Sequence, residues 1–163
     1  MDVSTTSQEF SRPPTIDDLV ALCRHLNEAG AQYVIIGGFA MIHHGYVRTT
    51  ADIDLLIESS ADNIGKIKEA LMYLPDQAVK DITSSDIQTY AVVRIGDEIV
   101  IDLLAKACEV IYNDAKDHIE YEVIDEIRIP YLSAQMMLKT KQSLRAQDAQ
   151  DRFFLEHLLK EKG

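Results

Sequence analysis

The chain is poor in cysteine, in long apolar runs and in positive charge, and each shortage removes a class of function. Its two cysteines, Cys23 and Cys108, are isolated and form no CxxC pair. Neither a disulfide framework nor a redox or zinc motif is therefore written here, and both read as packed thiols. No apolar run approaches the roughly 20 residues of a membrane-spanning helix. Met1–Pro14 is polar and has no apolar signal region, so the expected location is the cytoplasm, with no membrane partner. Lysine and arginine number 16 against 27 aspartates and glutamates, a net charge of −11. Non-specific nucleic-acid binding draws mainly on phosphate neutralisation by basic side chains, so it is not expected.

What is present fits one globular unit. The 163 residues are 47% hydrophobic and 26% charged, with no internal repeat or linker, enough for a real core. Residues 1–14, with Ser, Thr and Pro and little periodic pattern, read as a loose arm ahead of a single domain over 15–163. Thr15 with Asp17 and Asp18 predicts a capped helix start; Ile16, Leu19, Val20, Cys23 and Leu26 keep helical spacing, and Gly30 ends it. A second amphipathic helix is expected from about Ala61 to Tyr73, stopped by Pro75. Ile87–Leu104 reads as a hairpin turning at Gly96-Asp97, residues 105–118 as a helix or irregular connection, and Tyr121–Ile124 with Ile127–Tyr131 as a smaller hairpin. Ser133 caps a helix carrying Met136, Met137 and Leu138. A last helix runs from about Ala149 to Lys160, with Phe153, Leu155, Leu158 and Leu159 facing inward.

The organising stretch is Tyr33–Ile57. Tyr33–Ile36 is a short apolar strand, Gly37-Gly38 a turn, Phe39–His44 a helix ended by Gly45, and Asp52–Ile57 a second strand. The two-residue strand period puts Asp52 and Asp54 on one face, with Cα atoms about 6.5 Å apart. Carboxylates so close repel unless a cation neutralises them, and an all-oxygen donor set suits Mg²⁺, or Mn²⁺. The Gly-Gly turn opens a helix whose free N–H groups can receive a phosphate. A phosphate cradle beside a dicarboxylate metal site points to phosphoryl or nucleotidyl transfer. A second strand, Glu98–Leu104, carries Asp102 amid apolar residues, a costly place for an acid without a partner or metal. Should that strand pair beside Asp52–Ile57, the three carboxylates crowd, and Asp102→Asn would relieve repulsion and stabilise the metal-free protein.

The string Gly37-Gly38-Phe39-Ala40, His44-Gly45, Arg48, Thr50, Asp52-Ile53-Asp54 resembles the nucleotidyltransferase superfamily, the DNA polymerase β-like fold. More narrowly, it is similar to the small bacterial nucleotidyltransferases of the abortive-infection toxin type, and to relatives of the antibiotic nucleotidyltransferases. Gly38 stands where the superfamily signature usually has serine. The piece Ser133, Lys139 or Lys141, Arg145, Asp148, Asp151 resembles the C-terminal pattern of the same group. The resemblance implies an α/β (α+β) fold: a short mixed, twisted sheet flanked by helices, with a small C-terminal helical part. It implies Asp52, Asp54 and Asp102 as catalytic metal ligands, with Asp102 holding a second metal or drawing the acceptor's proton. It also implies nucleotide binding by Gly37, Gly38, Arg48 and Lys139 or Lys141, and transfer of a nucleoside monophosphate from a nucleoside triphosphate to an acceptor hydroxyl.

The acceptor, whether small molecule, protein or RNA, is left open, although an acidic chain favours a cationic one such as an aminoglycoside. The alternative is a catalytically silent nucleotidyltransferase fold, retained as a binding protein or toxin–antitoxin component. His43 and His44 are adjacent and point apart, which argues against a joint ligand pair on a helix face, and His44 is the better candidate to line a pocket. Arg145, Asp148 and Asp151 read equally as an ion-pair network and as substrate contacts. Dehalogenase-type phosphatases and glycosyltransferases also carry DxD, but the polar segment Val47–Ala51 before Asp52 and the small domain fit neither.

Overall fold

Residues 11–162 are described by the computed structural model; residues 1–10 of the expected arm lie outside them. The apolar run Tyr33–Ile36 forms β1, fully or nearly buried along its length. It pairs antiparallel with β2 (Asp52–Ile57), in a register that sets Ile36 opposite Asp54. Ile53, Leu55 and Ile57 are buried on one side of β2, while Asp52 and Asp54 turn half-buried to the other. The alternation read from the sequence is thus the alternation of the strand.

Around this pair a mixed six-stranded sheet is ordered β3-β4-β2-β1-β8-β7. Its outer members are β3 (Val93–Gly96), β4 (Val100–Leu104), β7 (Ile119–Ile124) and β8 (Ile127–Leu132). β4 lies parallel to β2, and β3 folds back antiparallel on β4. The small second hairpin does not stand alone: β8 joins β1 in parallel and extends the same sheet. It turns at Asp125 and Glu126, both with positive φ (52° and 68°), as expected of a tight hairpin whose two central residues are left-handed.

Helices cover the sheet. α1 (Ile16–Glu28) is capped at Thr15 by a box with Asp18, and its Asn27 accepts the Tyr33 hydroxyl at 2.8 Å. α2 (Gly37–His43) begins at the first glycine of the pair, without a separate turn before it. α3 (Ala61–Leu71) is anchored by Asn63, whose amide bonds Gln32 N, Gln32 O and Glu58 O at 2.7–3.0 Å. α6 (Ala134–Thr140) is capped by Ser133 as expected, and α7 (Ala146–Lys162) packs beside it.

Four local expectations change. Residues 84–89 form a helix, α4 (Ser84–Thr89), because Thr83 and Asp86 make a capping box that outweighs the β-rich composition. The first hairpin arm therefore shrinks to β3. Residues 105–118 contain a minute hairpin, β5 (Lys106–Ala107) with β6 (Val110–Ile111), followed by the single turn α5 (Tyr112–Ala115). α7 starts three residues earlier than expected, and Phe153 is 68% exposed: the inward stripe is Asp148, Asp151 and Leu155. Ser11 and Arg12, assigned to a loose arm, are bonded to the β3–β4 turn through Asp97 O (2.5 Å) and Glu98 O (3.0 Å).

That turn has its own anchor. Asp97 is 1% exposed, and its carboxylate accepts backbone N–H groups of Asp76, Ala78 and Glu98 at 3.0, 3.0 and 2.8 Å. Asp97→Ala leaves three backbone donors, that of Ala78 buried and the others partly so, without their acceptor and is expected to cost about 2 kcal/mol or more. Chemical denaturation checks this; a loss under about 1 kcal/mol contradicts the anchoring role.

Candidate functional site

The sheet register builds the site. Parallel pairing sets Asp54 opposite Asp102, and antiparallel pairing sets Arg94 opposite the same Asp102. Partners across a ladder share a face, so Asp52, Asp54, Asp102 and Arg94 all emerge together. Oxygens of the three carboxylates lie within 4.8 Å of one another. They form one wall of a cleft of about 440 Å³, which Gly37, Gly38, Arg48, Lys141 and Arg145 also line.

The glycine pair is explained by close approach. Gly37 has φ +69°, and a Cβ there would lie 2.0 Å from an Asp54 carboxylate oxygen. A Cβ on Gly38 would lie 2.5 Å from the Thr50 hydroxyl, which itself donates to Asp52 O at 3.0 Å. Any larger residue at either place displaces the acid-bearing strand or the loop leading into it.

Charge in the cleft is unevenly balanced. Arg94 grips Asp102 with two bonds, Nε to Oδ1 at 2.8 Å and Nη2 to Oδ2 at 2.9 Å, and reaches Asp52 Oδ2 at 3.1 Å. Among the described residues, Asp54 has no such hydrogen-bonded cation; the Lys141 charge only tempers it. Burial, reinforced by the charges of Asp52 and Asp102, holds its pKa well above the ordinary carboxylate range. Burial and the Asp102 charge also raise Asp52, against the opposing pull of Arg94. The expectation that Asp102→Asn stabilises the metal-free protein meets an opposing effect in this geometry. The substitution would break a bidentate pair to Arg94 as well as relieve repulsion.

The cleft is also lined by a buried network built around the start of α7. Asp151, 0% exposed, binds Lys141 Nζ at 2.9 Å, Arg48 Nη1 at 3.1 Å and the Gln147 amide at 2.9 Å. Asp148, 2% exposed, accepts from Arg145 Nη2 at 3.0 Å and from the Ser143 hydroxyl. Burial alone would raise Asp148, but the Ser143 and Arg145 hydrogen bonds outweigh it and hold the carboxyl below its usual range. Arg152 fastens the α6–α7 loop by bonds to Lys141 O and Ser143 O at 2.5 and 2.9 Å. Asp148 and Asp151 are thus acceptors in an ion-pair network that holds Arg48, Lys141 and Arg145 at the cleft.

Of the residues singled out in the sequence, Gly37, Gly38, Arg48, Asp52, Asp54, Asp102 and Lys141 meet in this cleft. Lys139 does not; on the last turn of α6, two positions before Lys141 at the helix cap, it lines a separate cavity with Cys108 and His118. His44 does not line the cleft either: its Nε2 bonds Leu132 O at 2.8 Å, and the ring is buried against β8. Arg94 was overlooked. Its signal was a lone arginine in the apolar run Val92–Ile95, as far before the hairpin centre at Glu98 as Asp102 is after it.

No protein-family model matches the chain, and none of the curated proteins does. Among solved structures, it is similar to a Thermotoga maritima protein whose nucleotidyltransferase name is itself provisional, with a TM-score of 0.55 and 13% identity. The match covers 90% of this chain and 92% of the other. Among the described residues, no helix is long and apolar enough to cross a membrane. Strand order, flanking helices and this likeness agree on the architecture: the chain has a mixed α/β, nucleotidyltransferase-like fold.

Proposed function

We propose that the chain is a metal-dependent nucleotidyltransferase, moving a nucleoside monophosphate from a nucleoside triphosphate to an acceptor hydroxyl. One observation carries the reading: the β2–β4 register gathers oxygens of Asp52, Asp54 and Asp102 within 4.8 Å of one another in a cleft that Arg48, Lys141 and Arg145 also line. The donor set fits Mg²⁺ or Mn²⁺, being all oxygen and carrying more negative charge than Arg94 neutralises. A bound divalent ion would supply charge neutralisation at the triphosphate. Asp52 and Asp54 would hold it; Asp102 would share it or accept the acceptor's proton, once Arg94 yields part of its grip. Arg48, Lys141 and Arg145 offer N–H donors to phosphate oxygens, and the missing side chains of Gly37 and Gly38 leave the backbone open to close approach. Such transfer is chiefly positioning and charge balance, which a domain of this size can provide.

A second reading is favoured by one feature. Arg94 already gives Asp102 and Asp52 a cation without metal, as suits a catalytically silent binding protein or toxin–antitoxin component. Against it stands Asp54, which Arg94 does not reach.

Two expectations separate these readings. Because the folded-state pKa of Asp54 is raised, its contribution to stability is complete below the unfolded aspartate pKa of about 3.9 and is lost as pH rises through the folded value. Without metal, Asp54→Asn should therefore melt above wild type by a margin that grows from acid to neutral pH. Added Mg²⁺ with a nucleoside triphosphate should raise the wild-type melting temperature and leave the variant's unchanged. A margin independent of pH, or an equal shift in both proteins, contradicts the assignment of Asp54.

The other expectation concerns Asp102→Asn. Transfer of labelled nucleotide to protein, RNA or aminoglycoside acceptors should fall by about a hundredfold or more. Stability without metal should drop by about 2 kcal/mol, as the charged hydrogen bonds to Arg94 are lost. Equal transfer by wild type and variant removes Asp102 from the catalytic set; no transfer by wild type to any acceptor favours the silent protein.

A further inference from the structure

The C-terminal end of α2 meets the edge strand β7 in a cluster of different chemistry, away from the acidic cleft. Adjacent histidines were expected to diverge, yet the rings of His43 and His44 lie edge to face with centroids 4.9 Å apart. The helix ends between them: His43 is its last residue, and His44 takes a non-helical cap conformation. Ligand atoms of His43, His44 and Glu120 fall within 4.8 Å of one another.

We propose that His43, His44 and Glu120 form a binding site for a borderline divalent transition metal, best fitted by Zn²⁺, with one position open to water. Three details support it. His43 Nε2 lies 3.5 Å from Glu120 Oε1, close to the separation of about 3.3 Å between two ligands each about 2.0 Å from a tetrahedral zinc. The second nitrogen of each histidine already has the partner that a metal-bound imidazole needs. His43 Nδ1 faces Glu122 Oε2 at 3.3 Å, and His44 Nε2 donates to Leu132 O at 2.8 Å, which leaves His44 Nδ1 with its lone pair. Both rings are held in place, His43 by stacking on Tyr131 at 4.0 Å and His44 by burial.

The period of β7 puts Glu120 and Glu122 on one face, with Glu120 paired across to Tyr131. One acid serves as ligand and the next orients His43. Imidazole nitrogens select against Mg²⁺, so this site and the acidic cleft would take different metals. Bound zinc would cross-link the end of α2 to a strand that is otherwise the open edge of the sheet. The inference does not depend on nucleotidyl transfer.

The test is zinc titration by calorimetry, on protein free of any histidine tag and in excess Mg²⁺ to occupy the acidic cluster. Wild type should bind one equivalent. Glu120→Gln and His43→Gln should each weaken binding by more than tenfold, and Glu122→Gln by about tenfold through the lost orienting bond. The double variant Asp52→Asn with Asp54→Asn should bind zinc as wild type does. Cobalt in place of zinc should show the intense visible bands of a tetrahedral site in wild type and lose them in Glu120→Gln. That variant changes an exposed side chain, so it remains informative if His43→Gln fails to fold. No saturable binding, unchanged affinity in Glu120→Gln, or loss of binding in the aspartate variant overturns the proposal. His43 is then an imidazole held between two carboxylates.

Discussion

Like-charge crowding on two neighbouring strands is the constraint that the candidate site depends on. Two unit charges about 4 Å apart interact by about 4 kcal/mol at an effective dielectric constant near 20. Three converging carboxylates therefore need a counter-charge or a proton. Arg94 supplies the first to Asp102 and Asp52, while the raised pKa of Asp54 marks the acid that goes without. Neighbouring features follow from the same crowding. Gly37 has no side chain because Asp54 fills that space, and Thr50 steadies Asp52 through its backbone.

A chain with net charge −11 still presents a basic wall, and the C-terminal network explains how. Lys141 and Arg48 are set by two buried acids of the same cleft lining, Asp148 and Asp151, so the cations are held in place by paired charge. Pairing inside the wall fixes the positions of the cations and lowers the entropy that a bound anion would otherwise have to remove. α7 therefore belongs to the cleft as much as to the core, which is why its inward stripe is partly acidic.

Legibility of the sequence followed the range of the forces involved. The Tyr33–Ile57 stretch could be read because every signal in it is local: an apolar run, two glycines, and an alternation of acids with aliphatics. Asp102 could be read because an acid in a buried strand is conspicuous. Arg94 was not, since its pairing with Asp102 needs a hairpin centred on Glu98, whereas a turn at Gly96-Asp97 sets Arg94 opposite Ile99. The capping box at Thr83 was the local signal missed in the hairpin's first arm. Lys139 and Lys141 could not be separated by spacing alone: helical phase at the end of a short element decides, and Arg152 fixes it from α7. His43 and His44 were expected to point apart, but the i, i+1 rule holds inside a helix and these two straddle its end, so their rings meet edge to face.

The parallel pairing of β2 with β4 has a consequence for how the protein comes into being. Parallel neighbours cannot be joined by a tight turn, and the path between these two runs through α3, α4 and β3. Asp54 and Asp102 thus meet only after a long loop has closed, a step whose entropic cost falls early and is repaid late. Until then Asp102 sits in a segment apart from Asp52 and Asp54, which share β2 from the start. The full three-acid cluster is accordingly assembled only when β4 docks beside β2, and a chain short of that step carries a pair of acids, not a trio.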